Sequence, residues 1–181
     1  MMTSHSPVAS FATTALALLA LPAGAFAQHE AAHAAQSPAS LVKIVREVTR
    51  PLFEIPAAVN AGYGPFLGCV SAPEIGAMGQ HYVNPQLVGD GLIDATRPEA
   101  LIYETSGNRT RLVGVEYIVD AATWNASHPT PPVLEGQSFQ LVGAPNRYAL
   151  PAFYELHVWA WRENPHGTFV DWNPRVSCDG Q

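Results

Sequence analysis

From Gly62 to the carboxyl terminus, glycine, proline and asparagine recur every several residues, and only short apolar runs lie between them. This spacing leaves little room for long helices and is typical of strands joined by turns. Five strands are predicted, at residues 77–83, 100–105, 111–119, 138–142 and 153–162. The sequence Ser-Gly-Asn-Arg at 106–109 predicts the turn of a hairpin between the second and third of them.

Before Gly62 the pattern is helical. Leucine, isoleucine and valine recur at helical spacing at 41, 44, 45, 48 and 52, and charged residues occupy the other side. The helix is predicted to begin at Ser37, and Pro51 should kink or end it. A second, shorter helix is predicted at 56–60. The expected fold class is therefore α+β, with N-terminal helices packed on a curved, mostly antiparallel sheet. An open sheet and a barrel-like one both fit this pattern.

An uncharged apolar stretch covers residues 11–27, FATTALALLALPAGAFA. It is shorter than the roughly 20 apolar residues that span a bilayer, and Pro22 and Gly24 interrupt it. It ends in Ala-Phe-Ala, the small-x-small pattern that signal peptidase accepts. These features predict a signal peptide over 1–27, although no lysine or arginine precedes the apolar run. An N-terminal membrane anchor is the alternative.

Removal of residues 1–27 leaves 154 of the 181 residues, the size of one ordinary domain. We expect a loosely ordered polar arm at 28–36 and a single α+β domain at 37–181. All charged side chains follow residue 27, so the net charge of −6 belongs to the mature chain. This acidic balance argues against nucleic acid and anionic membranes as partners. The mature protein is expected to be soluble and periplasmic or secreted, with a small molecule as the candidate partner.

The chain has two cysteines, Cys69 and Cys178. An isolated pair in one exported domain most simply forms a disulfide, because the compartments outside the cytoplasm are oxidising. Two separate thiols, one of them reactive, are the alternative.

The segment FYELHVWAWR at 153–162 carries the strongest signal for a site. Alternate residues of a strand share a face, so Phe153, Glu155, His157, Trp159 and Trp161 are expected on the same face. An exposed face does not normally carry two tryptophans. We therefore expect this face to be covered or to line a cavity, where a buried Glu and His would need partners.

Two other predicted strands could supply these partners, since one contains His81 and another contains Glu116. If the three strands are neighbours, His81, Glu116 and His157 converge. Two histidines and one carboxylate suit one divalent metal ion with an open coordination position, and Glu155 could replace or orient a ligand. Without a metal, the same groups could form a general acid–base pair or a hydrogen-bonded polar core.

Several aromatic side chains are candidates for contacts with a ligand. Trp159, Trp161 and Tyr82 could hold an apolar or aromatic molecule. The segment around Trp172, with Asp171, could form a sugar-binding platform, but the simpler interpretation is that it covers the end of the sheet.

The residues HEAAH at 29–33 match the zinc-protease motif H-E-x-x-H. That motif works on a buried helix beside a cleft, whereas here it lies in the predicted polar arm. A metalloprotease is therefore not expected, although the two histidines could bind metal during purification.

Five segments together resemble a family of exported bacterial proteins: MGQHYVNP at 78–85, RPEA at 97–100 leading to VEY at 115–117, YELHVW at 154–159 and WNP at 172–174. The resemblance extends over about residues 57–178. It implies a single exported domain, and it carries no activity and no catalytic residues over to this chain.

The sequence therefore predicts an exported domain with a small-ligand cavity and one divalent metal ion, of open identity, as its candidate cofactor. If the protein is an enzyme, a metal-dependent reaction on a small molecule is the expected class. A non-enzymatic binding protein for an apolar or aromatic small molecule, and a structural envelope protein, are the alternatives.

Overall fold

The computed structural model describes residues 1–2 and 38–180. Residues 3–37 lie outside the described residues. They include the rest of the predicted signal peptide with its cleavage site, the polar arm with its H-E-x-x-H segment, and Ser37. These predictions are therefore not tested by the structure.

The N-terminal part of the domain is helical. Helix α1 spans Pro38–Thr49, a 3-10 turn follows at Arg50–Leu52, and helix α2 spans Ile55–Asn60. α1 ends before Pro51, as predicted, because proline has no N–H to continue the helix. Leu41 and Val45, one turn apart in α1, are fully buried and attach the helix to the sheet.

Two short helices were not predicted. Helix α3 spans Pro85–Asp90, and helix α4 spans Ala121–Asn125. The side chain of Asn84 accepts a hydrogen bond from the N–H of Gln86 at the start of α3, and Asp120 caps α4 in the same way.

Eight strands complete the described fold: β1 Gly64–Ala72, β2 Gly76–Val83, β3 Ala100–Ser106, β4 Arg109–Asp120, β5 Val133–Leu134, β6 Gln137–Ser138, β7 Gln140–Val142 and β8 Phe153–Val158. Six of them form one antiparallel sheet in the order β1-β2-β3-β4-β8-β7, which curls into a half-barrel. β5 and β6 form a separate two-stranded sheet. The predicted α+β class with a curved antiparallel sheet is confirmed.

The two faces of the curled sheet have different roles. On the helix side, Val115 and Tyr117 of β4 pack in one buried cluster with Leu41 and Val45. Glu116 lies between Val115 and Tyr117 in a regular strand, so its side chain points to the opposite face. A smaller apolar cluster of Ala77, Ile102, Val113, Trp159 and Val176 lies apart from the helices.

The structure corrects two strand predictions. The segment 138–142 is not one strand, because Phe139 separates β6 and β7, which belong to different sheets. The last strand ends at Val158 rather than at 162. Beyond it the chain turns, with the N–H of Trp159 bonded to the carbonyl of Thr168 and that of Trp161 to Val113. The hairpin turn at 106–109 is confirmed, since β3 ends at Ser106 and β4 begins at Arg109.

A disulfide joins Cys69 of β1 to Cys178, whose Cα atoms are 5.7 Å apart. The predicted pairing is confirmed, and it ties the sheet's edge strand to the end of the chain. Among the helices of residues 38–180, none combines the length and the apolar character that a membrane span requires.

Candidate metal centre

Three strands bring His81, Glu116 and His157 together. Glu116 of β4 pairs directly with His157 of β8, and on its other side it pairs with Ala100 of β3. His81 projects from β2, one strand further along the sheet. All three side chains are buried, and His157 has no exposed surface. The convergence expected from the sequence is confirmed.

The distances within this group are those of a possible metal site. The Nε2 atoms of His81 and His157 are 3.5 Å apart, and Nε2 of His81 is 3.4 Å from Oε2 of Glu116. One ligand atom from each of the three residues lies within 4.8 Å of the others. Two ligands each 2.0–2.1 Å from a tetrahedral ion are about 3.4 Å apart, so little movement would be needed to bind one.

Burial sets the protonation states of these groups. It lowers the pKa of His81 to about 4 and that of His157 well below its ordinary value, so both imidazoles are neutral near pH 7. The pKa of Glu116 is raised well above its ordinary value, first by burial and then by the negative charge of Glu155. Burial also raises the pKa of Glu155 to about 6, because its effect is larger than that of a hydrogen bond with Glu116, which lowers this pKa. Both shifts favour the protonated forms of these neighbouring carboxyl groups.

One buried nitrogen atom of this group is unpaired among the described residues. Nδ1 of His157 is buried and has no hydrogen-bond partner among the described residues. The nearest acids are Asp171, whose Oδ1 is 3.6 Å away, and Glu116, whose Oε1 is 3.9 Å away. Oδ1 of Asp171 accepts a 3.0 Å hydrogen bond from Nε2 of Gln140. A carboxylate at this position is placed to orient a metal-bound imidazole.

A second group of possible ligand atoms overlaps the first. Glu155, His157 and Asp171 also lie within 4.8 Å of one another, and burial raises the pKa of Asp171. Glu155 therefore lies where the sequence placed it, beside the main group as an alternative or supporting acid. Asp171 was not predicted as part of the site, because it lies in a turn where no strand periodicity reveals which way its side chain points.

A cavity of about 650 Å³ opens from this site to the solvent, and His81 and Glu116 contribute to its lining. Its wall is otherwise largely apolar, with side chains such as Phe66, Val70, Val83, Val88, Ile118 and Phe153. Tyr148 also lines it. The sequence did not reveal this wall, because much of it comes from β1, a strand that was not predicted.

The three aromatic residues proposed as ligand contacts do not come together. The indole N–H of Trp159 donates to the carbonyl of Val170, while that of Trp161 donates to Oγ1 of Thr49 on the helical side. The expectation that both tryptophans share a strand face is wrong, because β8 ends before either of them. Tyr82 packs against Tyr103, with ring centroids 5.2 Å apart.

Only Trp159 lies near the metal-site candidates, with its ring centroid 6.2 Å from that of His157. None of Tyr82, Trp159 and Trp161 contributes to the cavity wall formed by the described residues.

No protein-family model matches this chain, and no curated protein and no solved structure is significantly similar to it. The resemblance to an exported bacterial family therefore stays a prediction, and the function has to be argued from the geometry of the site.

Proposed function

We propose that this protein binds one divalent transition-metal ion through Nε2 of His81, Nε2 of His157 and the carboxylate of Glu116, with an open coordination position towards the cavity. The observation that supports this most strongly is the convergence of three buried ligand side chains from three different strands. Two imidazoles and one carboxylate are a common set for zinc and for other first-row metals.

A purely structural polar core accounts for the same residues less well. The two Nε2 atoms are 3.5 Å apart, which is long for a hydrogen bond, and only one of the two could donate. Nδ1 of His157 is buried without a hydrogen-bond partner in the described chain. Unpaired buried polar atoms are costly, so polar residues that serve only the core are normally paired. A metal would use both Nε2 atoms and direct the Nδ1–H of His157 towards Asp171.

The charge of the site is also suited to a cation. Glu116, Glu155 and Asp171 surround the two neutral histidines, and no lysine or arginine side chain of the described residues makes an ion pair with them. A divalent ion would take the place of the proton that the raised pKa of Glu116 favours on its carboxyl group. At its open position the ion would polarise an oxygen atom of a molecule held in the cavity.

A second candidate function is the binding of a small molecule without a metal. The cavity itself favours it, because a volume of about 650 Å³ and an apolar wall are usual for small-molecule sites. In this case Glu116 and His81 would act as hydrogen-bonding groups at the floor.

The test is a titration of the metal-free chain, without residues 1–36, with Zn²⁺ in competition with a chromophoric chelator. Glu116→Gln and His81→Gln nearly preserve side-chain volume, and each should lower the affinity at least a hundredfold, because each removes a direct ligand. His166→Gln, at an exposed histidine outside the site, is the matched control and should bind like the wild type. Equal affinity in all four proteins would contradict the proposal, provided that circular dichroism shows that each is folded.

A further inference from the structure

The cavity has an apolar rim as well as an apolar wall. Val59, Leu67 and Leu150 line it and are 51%, 57% and 38% exposed, respectively. Exposed apolar side chains grouped around a concave site mark a place where an apolar partner is bound.

The backbone at this rim adopts conformations that non-glycine residues rarely accept. Leu67 has φ 54°, and Ala149, directly before Leu150, has φ 56°. Leu67 lies where the pairing of β1 with β2 shifts register, between Phe66 and Val70. Such conformations cost on the order of 1 kcal/mol or more and persist where the surrounding structure requires them. Both segments present a leucine to the opening of the cavity.

The charges of the site restrict what can bind. No lysine or arginine lines the cavity in the described part of the chain, and Glu116 is the one acidic side chain in its lining. Glu155 and Asp171 do not line the cavity, but their negative charges act on Glu116 and raise its pKa. In the metal-free site, an anionic head group would meet three acidic side chains without a basic side chain to balance it. An uncharged molecule would meet no such penalty.

We propose that the cavity binds an uncharged, largely apolar small molecule that carries one hydroxyl or carbonyl oxygen. The oxygen lies at the floor beside His81 and Glu116, and the apolar part extends towards Leu67 and Leu150. The proposal deepens the proposed function and rests on it for the contact between this oxygen and the metal. The apolar contacts do not depend on the metal, so the two proposals can fail separately.

Glycines in the wall allow the cavity to be filled without disturbing the backbone. Gly89 lines the cavity, its φ is not in the left-handed region, and a Cβ atom added there would have no neighbour within 4 Å. Gly89→Phe therefore adds a ring at the cavity wall without a clash at its Cβ atom, and Gly64→Leu offers a second filling variant with the same properties. Gly143 has equally open surroundings but does not line the cavity, so Gly143→Phe is the matched control.

The experiment measures the binding of straight-chain alcohols, from pentan-1-ol to octan-1-ol, by isothermal titration calorimetry with metal-free and with zinc-loaded protein. Each added methylene should tighten binding to both forms about fourfold. Gly89→Phe and Gly64→Leu should lower the affinity for octan-1-ol at least tenfold, while Gly143→Phe should leave this affinity unchanged. To the metal-free protein, octanoate at pH 8 should bind at least tenfold more weakly than octan-1-ol.

Three results would each overturn this proposal: affinities that do not depend on chain length, filling variants that bind octan-1-ol as tightly as the control, or tighter binding of octanoate than of octan-1-ol by the metal-free protein. If the alcohols behave as expected and the protein binds no zinc, the metal proposal fails and the cavity proposal stands. If zinc binds and the alcohols do not, only the cavity proposal fails.

Discussion

The imidazole of His157 is fully buried, and its two nitrogens face different groups. Nε2 lies 3.5 Å from Nε2 of His81, while Nδ1 lies 3.6 Å from the carboxylate of Asp171 and has no hydrogen-bond partner within the described residues. If Nε2 binds a metal, Nδ1 must carry the proton, and Asp171 becomes its acceptor.

Asp171→Asn should therefore weaken zinc binding by about tenfold to a hundredfold without removing a direct ligand. The physical reason is that the amide cannot stabilise the Nδ1–H of a metal-bound imidazole as a carboxylate does. Asp179→Asn, at an exposed aspartate, serves as the control in the same chelator competition. Unchanged zinc affinity in Asp171→Asn would show that Asp171 does not orient His157.

Glu99 is a buried acid outside the cavity lining. It is 2% exposed, and its Oε2 accepts a hydrogen bond from the N–H of Ile118. Burial raises its pKa to about 8, above the value near 4.5 that it has in the unfolded chain. Between these two pH values the folded state binds a proton that the unfolded state has lost. The contribution of Glu99 to the free energy of unfolding is therefore greatest at low pH and decreases as the pH rises to about 8.

Glu99→Gln removes this titration. Relative to the wild type, the free energy of unfolding of the variant should therefore increase by about 2 to 4 kcal/mol as the pH rises from 5 to 9. Urea unfolding of both proteins at several pH values measures the difference, and the other titrating groups cancel in it. A difference in the free energy of unfolding that does not change with pH would show that Glu99 titrates normally.

The pairing of β4 with β8 fixes the distance between Glu116 and His157. Gly114 of β4 allows the close approach of these strands, because a Cβ atom there would lie 2.8 Å from the carbonyl oxygen of Val158. Gly114→Ala should force the strands apart and destabilise the protein by about 1 to 3 kcal/mol. Gly68→Ala, in β1, would meet no atom within 4 Å and is the control in urea unfolding. Equal midpoints for the two variants would contradict the expected clash.

The edge strand β1 is held by one neighbouring strand and by the disulfide at Cys69. It pairs with β2 only, and its register shifts twice along that pairing. Cys69 and Cys178 are 109 residues apart, and a crosslink of this length stabilises a fold by about 4 to 5 kcal/mol in the chain-entropy model.

We expect the Cys69→Ser, Cys178→Ser double variant to lose stability of this order. Hydrogen exchange should show faster exchange in β1 than in β4, because β1 is held at an edge. The reduced wild type should behave like the double variant. Exchange that accelerates equally in β1 and β4 would mean that the disulfide stabilises the whole sheet rather than its edge.

The strands that were predictable from the sequence are short apolar runs bounded by turn residues. β2, β3, β4 and most of β8 are of this kind, whereas the convergence of Glu116 and His157 depended on the strands being neighbours, which the sequence alone leaves open. β1 was missed because GPFLGCVSA contains two glycines and a proline and no regular apolar period. The end of β8 was missed because its apolar pattern continues past the turn at Trp159.

At the level of the whole domain, the sequence predicted the α+β class, the disulfide and the convergence of His81, Glu116 and His157. It predicted a small-ligand cavity but not which residues form its wall, and it did not place Asp171 in the site, because both depend on how loops and an edge strand fold around the sheet. The disulfide is consistent with an exported protein, since such bonds persist in oxidising compartments. Export itself rests on residues 1–27, most of which lie outside the described structure.

The most direct test of the metal proposal is the metal content of the mature chain, purified without an affinity tag after growth with ample transition metals. Two variants are measured beside it: one that lacks residues 28–36, which removes the histidines at 29 and 33, and His157→Gln. The account predicts about one ion per chain in the wild type and in the shortened variant, and almost none in His157→Gln. Absence of metal from all three proteins, or its loss only when residues 28–36 are removed, would contradict it.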